Sequence, residues 1–357
     1  MRLISRTDHE QVERGLALRL REALRGGLPA PDSKAIGDFV LAGGKRIRPQ
    51  LTIWTWRQAS GRRDGPVDPD ILKIAIGWEL FHAFLLIHDD LIDSADVRRD
   101  LPALQHALAS LHDGCGQTGA SLAIVAGDLL FAAAMSLWHE LALPDDRFRE
   151  SLKLFSRVAS LTGLGQAIDI LQQRVPLEEV AEETLLREYC WKTAAYTFEG
   201  PMLSAAVACG LNPAARDAVS RFAMAIGQAY QLQNDLFDLA TPCHAGSDLV
   251  QGKRTFTLVS HRAQLGLAAR ERLDRQLQSI AENNGQALAL AEELRGSLLA
   301  EGAAKRTVQL IASLLRDAAD AGHDPSLPRP FRDGLAGLLG SLKQDYFRFD
   351  PVEAAAG

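Results

Sequence analysis

The sequence predicts an all-α protein, a single large bundle of long helices around a central cavity, with residues 1–357 forming one domain. Three observations carry that expectation. Alanine and leucine are abundant while aromatic residues make up only 6% of the chain. Apolar residues recur at helical period from end to end, and strand signals are nearly absent. No low-complexity linker or change of composition divides the chain, and 357 residues that are 47% hydrophobic suffice for a large core.

The helices follow from that period and from the segments that interrupt it. A first helix over 8–25 stops at "GGLPAPDS", and a second over 46–59 stops at "SGRRDGPVDPD". Helices over 69–95 and 118–142 follow, the latter ended by "ALPDD". Next come 147–173 and 178–208, the second closed by "GLNPAA", and then 213–240, closed by "TPCHAGSD". The pattern continues over 254–298, 303–320 and, beyond "HDPSLPRP", 330–346. Several of these are long enough to cross such a domain completely.

Composition excludes some classes of function. The net charge is -6 and Lys and Arg are spread along the chain, so neither a nucleic-acid stripe nor a polybasic membrane patch is expected. The opening "MRLISRTDHEQVERGLALRLREAL" is charged throughout and lacks an apolar h-region, and no run is read as spanning a bilayer. Cys115, Cys190, Cys209 and Cys243 are widely spaced with no C-x-x-C pair, which indicates neither a zinc site nor a disulfide framework. The expectation is a cytoplasmic protein without an integral membrane segment.

Against this background "LIHDDLID" at 86–93 stands out, because three aspartates and a histidine interrupt the apolar run "IAIGWELFHAFLLIHDDLID". A carboxylate taken out of water without a partner costs on the order of several kcal/mol, so burial here implies a counter-charge. Asp89 and Asp93 are four apart and share one helical stripe, while Asp90 is turned by about 100°. A later segment, "QLQNDLFD" at 231–238, repeats the arrangement with Asn234, Asp235 and Asp238. Oxygen ligands of this kind, with waters and phosphates filling the other positions, suit Mg2+.

Basic residues accompany both motifs. "GGKRIRP" at 43–49 sets Lys45, Arg46 and Arg48 after a glycine pair, a plausible anion clamp at a helix start. Arg98 and Arg99 follow the first aspartate motif, Lys192 lies in "WKTAAYTFEG", and Lys253 in "GSDLVQGKRTF" follows the second. Carboxylates, Mg2+ and fixed cations around an apolar helical interior describe a site for a diphosphate carrying a hydrocarbon tail.

The segments "GGKRIRP", "LIHDDLIDSADVRR", "GDLL", "GQAIDI", "KTA", "YQLQNDLFD" and "GSDLVQGKRT" occur, in this order, in the trans-isoprenyl diphosphate synthases, which this chain resembles from Gly43 to about Leu258. The resemblance implies the isoprenoid synthase fold, condensation of isopentenyl diphosphate with an allylic diphosphate, Mg2+ as cofactor, and a homodimer. It implies that Asp89 and Asp93 bind the Mg2+ ions that hold the allylic diphosphate, and that Arg98, Lys192, Gln231 and Lys253 touch the same phosphates. Asn234, Asp235 and Asp238 would form the second metal motif, and Lys45, Arg48, His82 and Arg99 the cradle for isopentenyl diphosphate. Asp89, Asp93, Lys192, Asp235 and Lys253 would carry the catalysis. Gln166, Asp169 and Thr193 would orient other groups. His82 precedes Asp89 by seven residues and shares its stripe, which supports its assignment independently.

The chain departs from the family's pattern at Asn234, where an aspartate is usual, at Gln105, where many members have histidine, and in the short connection "LATPCHAG". A carboxamide oxygen can ligate Mg2+ but adds no charge. Class I terpene cyclases are the alternative that Asn234 suggests, yet the hydroxyl and Glu their motif requires are here Asp238 and Pro242. A non-catalytic subunit is a third reading, against which the intact first motif stands. Phe84, five before the first aspartate, and its neighbour Leu85 would set the floor of the tail pocket and favour a C20 product, with C15 as the alternative. The final "KQDYFRFDPVEAAAG" is expected to be a frayed tail, with cover of the site through Lys343 or Arg348 as the other possibility.

Overall fold

The computed structural model describes residues 3–347 apart from 100, 245 and 284. In chain order the helices are α1 (Arg6–Ala23), α2 (Ala30–Leu41), α3 (Ile47–Ser60), α4 (Pro69–Ile92), α5 (Leu104–Leu111), α6 (Gly116–His139), α7 (Asp145–Gln172), α8 (Glu182–Glu188), a π-helix (Tyr189–Glu199), α9 (Gly200–Ala208), α10 (Pro213–Ala240), α11 (Phe256–Gln264), α12 (Leu267–Glu282), α13 (Ala287–Ala300), α14 (Ala304–Gly322) and α15 (Arg329–Asp345). Among the described residues the strands are β1 (Val97–Arg98) and β2 (Leu101–Pro102), a two-stranded antiparallel ladder. The protein is all-α, as its composition and periodicity predict.

Helix starts lie where local chemistry puts them. The Ser5 side chain accepts from Asp8 N–H at 3.0 Å, Asp68 from Asp70 N–H at 3.0 Å, and Asn212 from Ala215 N–H at 2.9 Å, so α1, α4 and α10 each open on a side-chain cap. Pro69 and Pro213 occupy the first helical position of α4 and α10, where a missing N–H costs nothing. Two short helices, α2 and α5, were outside the expected set. The expected helix over 254–298 divides into α11, α12 and part of α13, broken at Leu265–Gly266 and around "NNG". Leucine and alanine periodicity runs across those breaks, which is why pattern alone merges the pieces.

The chain separates into two compact units, the first comprising 1–155 and 200–211 and the second 156–199 and 212–357. In the first, Trp78 is fully buried, 5.3 Å between centroids from both Trp138 and Phe155. Its Nε1–H donates to Ser204 Oγ at 3.2 Å, so the indole's polar atom is satisfied within the core. Gly77 permits this packing, because a Cβ there would lie 2.3 Å from the Trp138 ring. In the second unit α10 lies against the π-helix, where a Cβ on Gly227 would meet Ala194 Cβ at 2.4 Å. A leucine-rich cluster of Leu239, Leu258, Leu273, Leu294 and Leu298 forms its other core.

Among the described residues two helices, α4 and α6, are long and apolar enough to cross a bilayer by length and composition alone, although no run was expected to span one. The apolar window of α4 is 61% buried inside the protein, and α4 ends in the acidic motif, so it reads as a core helix.

Candidate active site

The first unit presents the end of α4. Asp93 caps that helix, its N–H bonded to Asp89 O at 2.8 Å, so Asp89 and Asp93 sit one turn apart at the negative end of the helix dipole. Carboxylates are disfavoured there unless a cation answers them. Asp90 is the truly buried member of the trio, with a side-chain exposure of 0%. Arg98 Nε donates to its Oδ1 at 2.8 Å, and Arg98 Nη2 lies 3.7 Å from Asp89 Oδ2. The counter-charge demanded by "LIHDDLID" is therefore a side chain of this chain, at least for Asp90. Burial raises the Asp90 pKa, with Arg98 opposing that shift.

Arg98 and Arg99 reach the site because the β1–β2 hairpin carries them back over α4. Arg99 has a left-handed backbone, φ 54°, and its guanidinium donates to Gly43 O. Gly44, at φ 139°, leaves room for it: a Cβ there would lie 3.1 Å from Arg99 Nη2. His82 is enclosed beside these cations. Desolvation first, then Arg48, Arg99, Arg98 and Arg46, push its pKa well below the ordinary range, so the imidazole is neutral. Burial and the neighbouring Arg46 lower Arg99 as well. Such crowding of positive charge is costly unless an anion joins it.

Of the three bases in "GGKRIRP", one has a different task from that expected. Arg46 is buried, at φ 44°, and bonds Glu13 at 2.7 Å, Glu79 at 2.8 Å and Val40 O at 3.1 Å. It fastens α3 to α1 and α4 and is no part of an anion clamp, which leaves Lys45 and Arg48. Gln105, where the family commonly has histidine, donates to Ala95 O at 2.8 Å and braces the turn after the aspartates.

The residues expected to form the floor lie on the same helix. Phe84 is half-buried, 4.6 Å from His88, 5.3 Å from Phe131 and 5.7 Å from Phe81 between ring centroids, and Leu85 beside it is also half-buried. Gly127 lets α6 approach closely, since a Cβ there would fall 2.4 Å from His88 Nε2.

The second unit holds a connected polar network. Thr193 Oγ1 donates to Gln231 Oε1 at 2.9 Å, and Gln231 Nε2 donates to Asp235 Oδ1 at 2.9 Å. The Tyr189 hydroxyl donates to Asp235 Oδ2 and accepts the Phe256 N–H at 3.0 Å. Asp238 Oδ2 accepts from Asp248 N–H at 3.0 Å, Lys253 Nζ is 3.5 Å from Asp248 Oδ1, and Lys192 pairs with Asp169. Lys192, Thr193 and Tyr189 are presented by the π-helix, a winding frequent at functional sites. Gly165 in α7 admits that backbone, because a Cβ there would lie 2.3 Å from Lys192 N.

Tyr189, Glu188 and Asp248 were not singled out in the sequence. Asp248 sat inside the quoted "GSDLVQGKRT", where an acid five residues before Lys253 was the available signal. Tyr189 and Glu188 gave none, because Tyr189 reaches Asp235 through the π-helical winding and Glu188, at the end of α8, matters only through its burial near Asp169.

Negative charge in this cluster exceeds what its lysines can neutralise. Burial and the neighbouring Asp248 raise Asp235 to about 8. Burial also lifts Asp248 to about 6, Lys253 opposing and Asp238 adding to the shift, while burial and Asp169 carry Glu188 well above the carboxylate range. A cation would relieve this repulsion. Among the described residues no three His, Cys, Asp or Glu side chains converge closely enough to hold a metal ion by themselves. The donor set therefore fits a hard cation that takes one or two carboxylates per site and shares phosphate oxygens, the habit of Mg2+, and does not fit a metal caged by protein alone.

The first unit sets the aspartates of α4 beside Arg98, and the second gathers Asp235, Asp238 and Asp248 near Lys253, so each carries an acidic cluster accompanied by fixed cations. The chain belongs to the polyprenyl synthetase family, whose pattern it matches over residues 33–294. It is 27% identical to the geranylfarnesyl diphosphate synthase of Natronomonas pharaonis over 347 residues, 88% of this chain and 98% of that protein. It is 30% identical to the farnesyl diphosphate synthase of Escherichia coli over 262 residues, 70% of this chain and 81% of the other. Its fold is similar to the crystal structure of geranylgeranyl pyrophosphate synthase from Corynebacterium glutamicum complexed with isoprenyl diphosphate and magnesium. That likeness has a TM-score of 0.79 at 26% identity, covering 93% of this chain and 97% of that one. The protein is thus a prenyltransferase, a prenyl diphosphate synthase of short-chain type.

Proposed function

We propose that the protein condenses isopentenyl diphosphate with an allylic diphosphate in a Mg2+-dependent reaction, with C20 geranylgeranyl diphosphate as the main product and C15 farnesyl diphosphate next. The observation that supports this reading is His82, buried on the same helix as Asp89 and Asp93 and held neutral by desolvation and by the nearby charges of Arg48, Arg99, Arg98 and Arg46. Lys45, Arg48, His82 and Arg99 cradle the diphosphate of isopentenyl diphosphate. Asp89, Asp93, Asn234, Asp235 and Asp238 are the residues that would hold the metal, which when bound supplies positive charge to the departing diphosphate. Arg98, Lys192, Lys253 and Gln231 add charge and hydrogen bonds to the allylic diphosphate, and Asp169 and Thr193 fix Lys192 and Gln231 in place.

Stabilising the leaving diphosphate lets the allylic C–O bond ionise, and the double bond of isopentenyl diphosphate attacks the resulting carbon cation. Loss of a proton to the released diphosphate restores the alkene. No protein nucleophile takes part; orientation and exclusion of water do much of the work. The Phe84 ring, packed on His88 and Phe131, stops the growing tail.

The proposal includes one functional domain, a cytoplasmic location and a homodimer. On α6, Ile124 and Val125 are 48% and 49% exposed, and the apolar window of that helix is only 33% buried, which supports a second copy covering it. The test is incubation of the purified chain with isopentenyl diphosphate and each of the C5, C10 and C15 allylic diphosphates, with Mg2+ or with EDTA, and sizing of the dephosphorylated products. Elongation only with Mg2+ and ending at C20 is the expected result; a cyclic hydrocarbon, or no product from any starter, overturns the reading.

A further inference from the structure

The departure at Asn234 has a partner at the other end of the chain. α15 ends at Asp345, and the backbone turns so that Tyr346 N–H and Phe347 N–H both donate to Leu342 O, at 2.9 and 3.1 Å. This places the Tyr346 ring on α10, stacked on Tyr230 with centroids 4.7 Å apart and planes at 11°, and edge-on to Phe237 at 5.6 Å. Tyr230, Asn234 and Phe237 are i, i+4 and i+7, one stripe of α10. The Tyr346 hydroxyl donates to Asn234 Oδ1 in the middle of that stripe. The expected frayed tail is therefore packed as far as Phe347; Lys343 is exposed, and Arg348 lies outside the described residues.

We propose that Tyr346 is a gate residue, the tip of a C-terminal strap that competes with a magnesium diphosphate for Asn234 Oδ1 and so sets the affinity of the second motif. The inference rests on the prenyl synthase reading, which gives that oxygen to the metal. Two features make the exchange feasible. Asn234 is neutral, so its oxygen can accept from a phenol or ligate a metal, whereas an aspartate there would add a further negative charge beside Asp235 and Asp238. The strap's turn is held by two backbone bonds to the single carbonyl of Leu342, a hold that opens locally without unfolding α15.

The test is isothermal titration of the full chain with Mg2+ and inorganic pyrophosphate, together with hydrogen exchange of the segment 340–347. Tyr346→Phe keeps the stack and removes the hydroxyl, and should bind magnesium pyrophosphate about five-fold more tightly, the size of one net hydrogen bond. In an Asn234→Leu background, checked for helicity, that gain should vanish. Exchange at 346 and 347 should rise when the ligand is added to the unaltered chain. Affinity that is equal or weaker in Tyr346→Phe, a gain that persists in Asn234→Leu, or unchanged exchange overturns the gate while leaving the enzyme assignment intact. Failure of the unaltered chain to bind magnesium pyrophosphate at all overturns both.

Discussion

Replacing Arg98 by methionine would isolate the buried charge of "LIHDDLID". The methionine keeps much of the apolar stem and removes the guanidinium. Asp90 has a side-chain exposure of 0%, and Arg98 supplies the bonds to its Oδ1; Oδ2 has no hydrogen-bond partner among the described residues. Removing one member of a fully buried ion pair costs about 3–5 kcal/mol, because the other charge is left unanswered. Arg98 itself is 31% exposed, so water screens part of this pair. The expected loss is then about 2–3 kcal/mol. Urea unfolding followed by circular dichroism at neutral pH, without Mg2+, would show a lower midpoint at unchanged slope. Adding Asp90→Asn should restore most of the loss, since the uncompensated charge is gone. A stability within about 0.5 kcal/mol of the parent, or no recovery in the double variant, would refute the assignment of Arg98 as the counter-charge.

Three further outcomes follow from the same geometry. Asp235, raised by burial to about 8, takes up a proton on folding, so the stability it contributes is fully present below the ordinary aspartate value of 3.8 and is lost as pH rises through about 8. Metal-free thermal melts should fall across that window, and Asp235→Asn should flatten the fall; an unaltered slope sinks the idea. Asp89→Ala should abolish turnover while leaving far-UV circular dichroism intact, and full activity would remove Asp89 from the metal site. Phe84→Ala should lengthen the product by one or more C5 units on chromatography, if the ring packed on His88 and Phe131 closes the floor as proposed. An unchanged product distribution would acquit it.

Much of the fold was legible because helix starts and stops are local. Asn212–Pro213 and Asp68–Pro69 announce their helices by capping and by proline's missing N–H, and the boundaries of α10 came out as read. The split of 254–298 was hidden because alanine and leucine suit either side of a turn. The aspartate motifs and their bases were also visible, since i, i+4 spacing is a property of the helix itself. Which base does what was hidden: in "GGKRIRP" nothing local separates Arg46, clamped by Glu13 and Glu79, from Arg48 beside His82.

By itself the sequence determined that the chain is helical, that carboxylates recur at one-turn spacing in two apolar helices, and that cations follow each of them. Only the tertiary structure decided which charges answer one another. Arg98 meets Asp90, Tyr189 meets Asp235 and Tyr346 meets Asn234 across separations of 8, 46 and 112 residues. The physical reason is that a side chain's pKa and partner depend on burial and on neighbours brought near by packing. Helical periodicity records the stripe on which a residue lies and carries no information about what lies opposite.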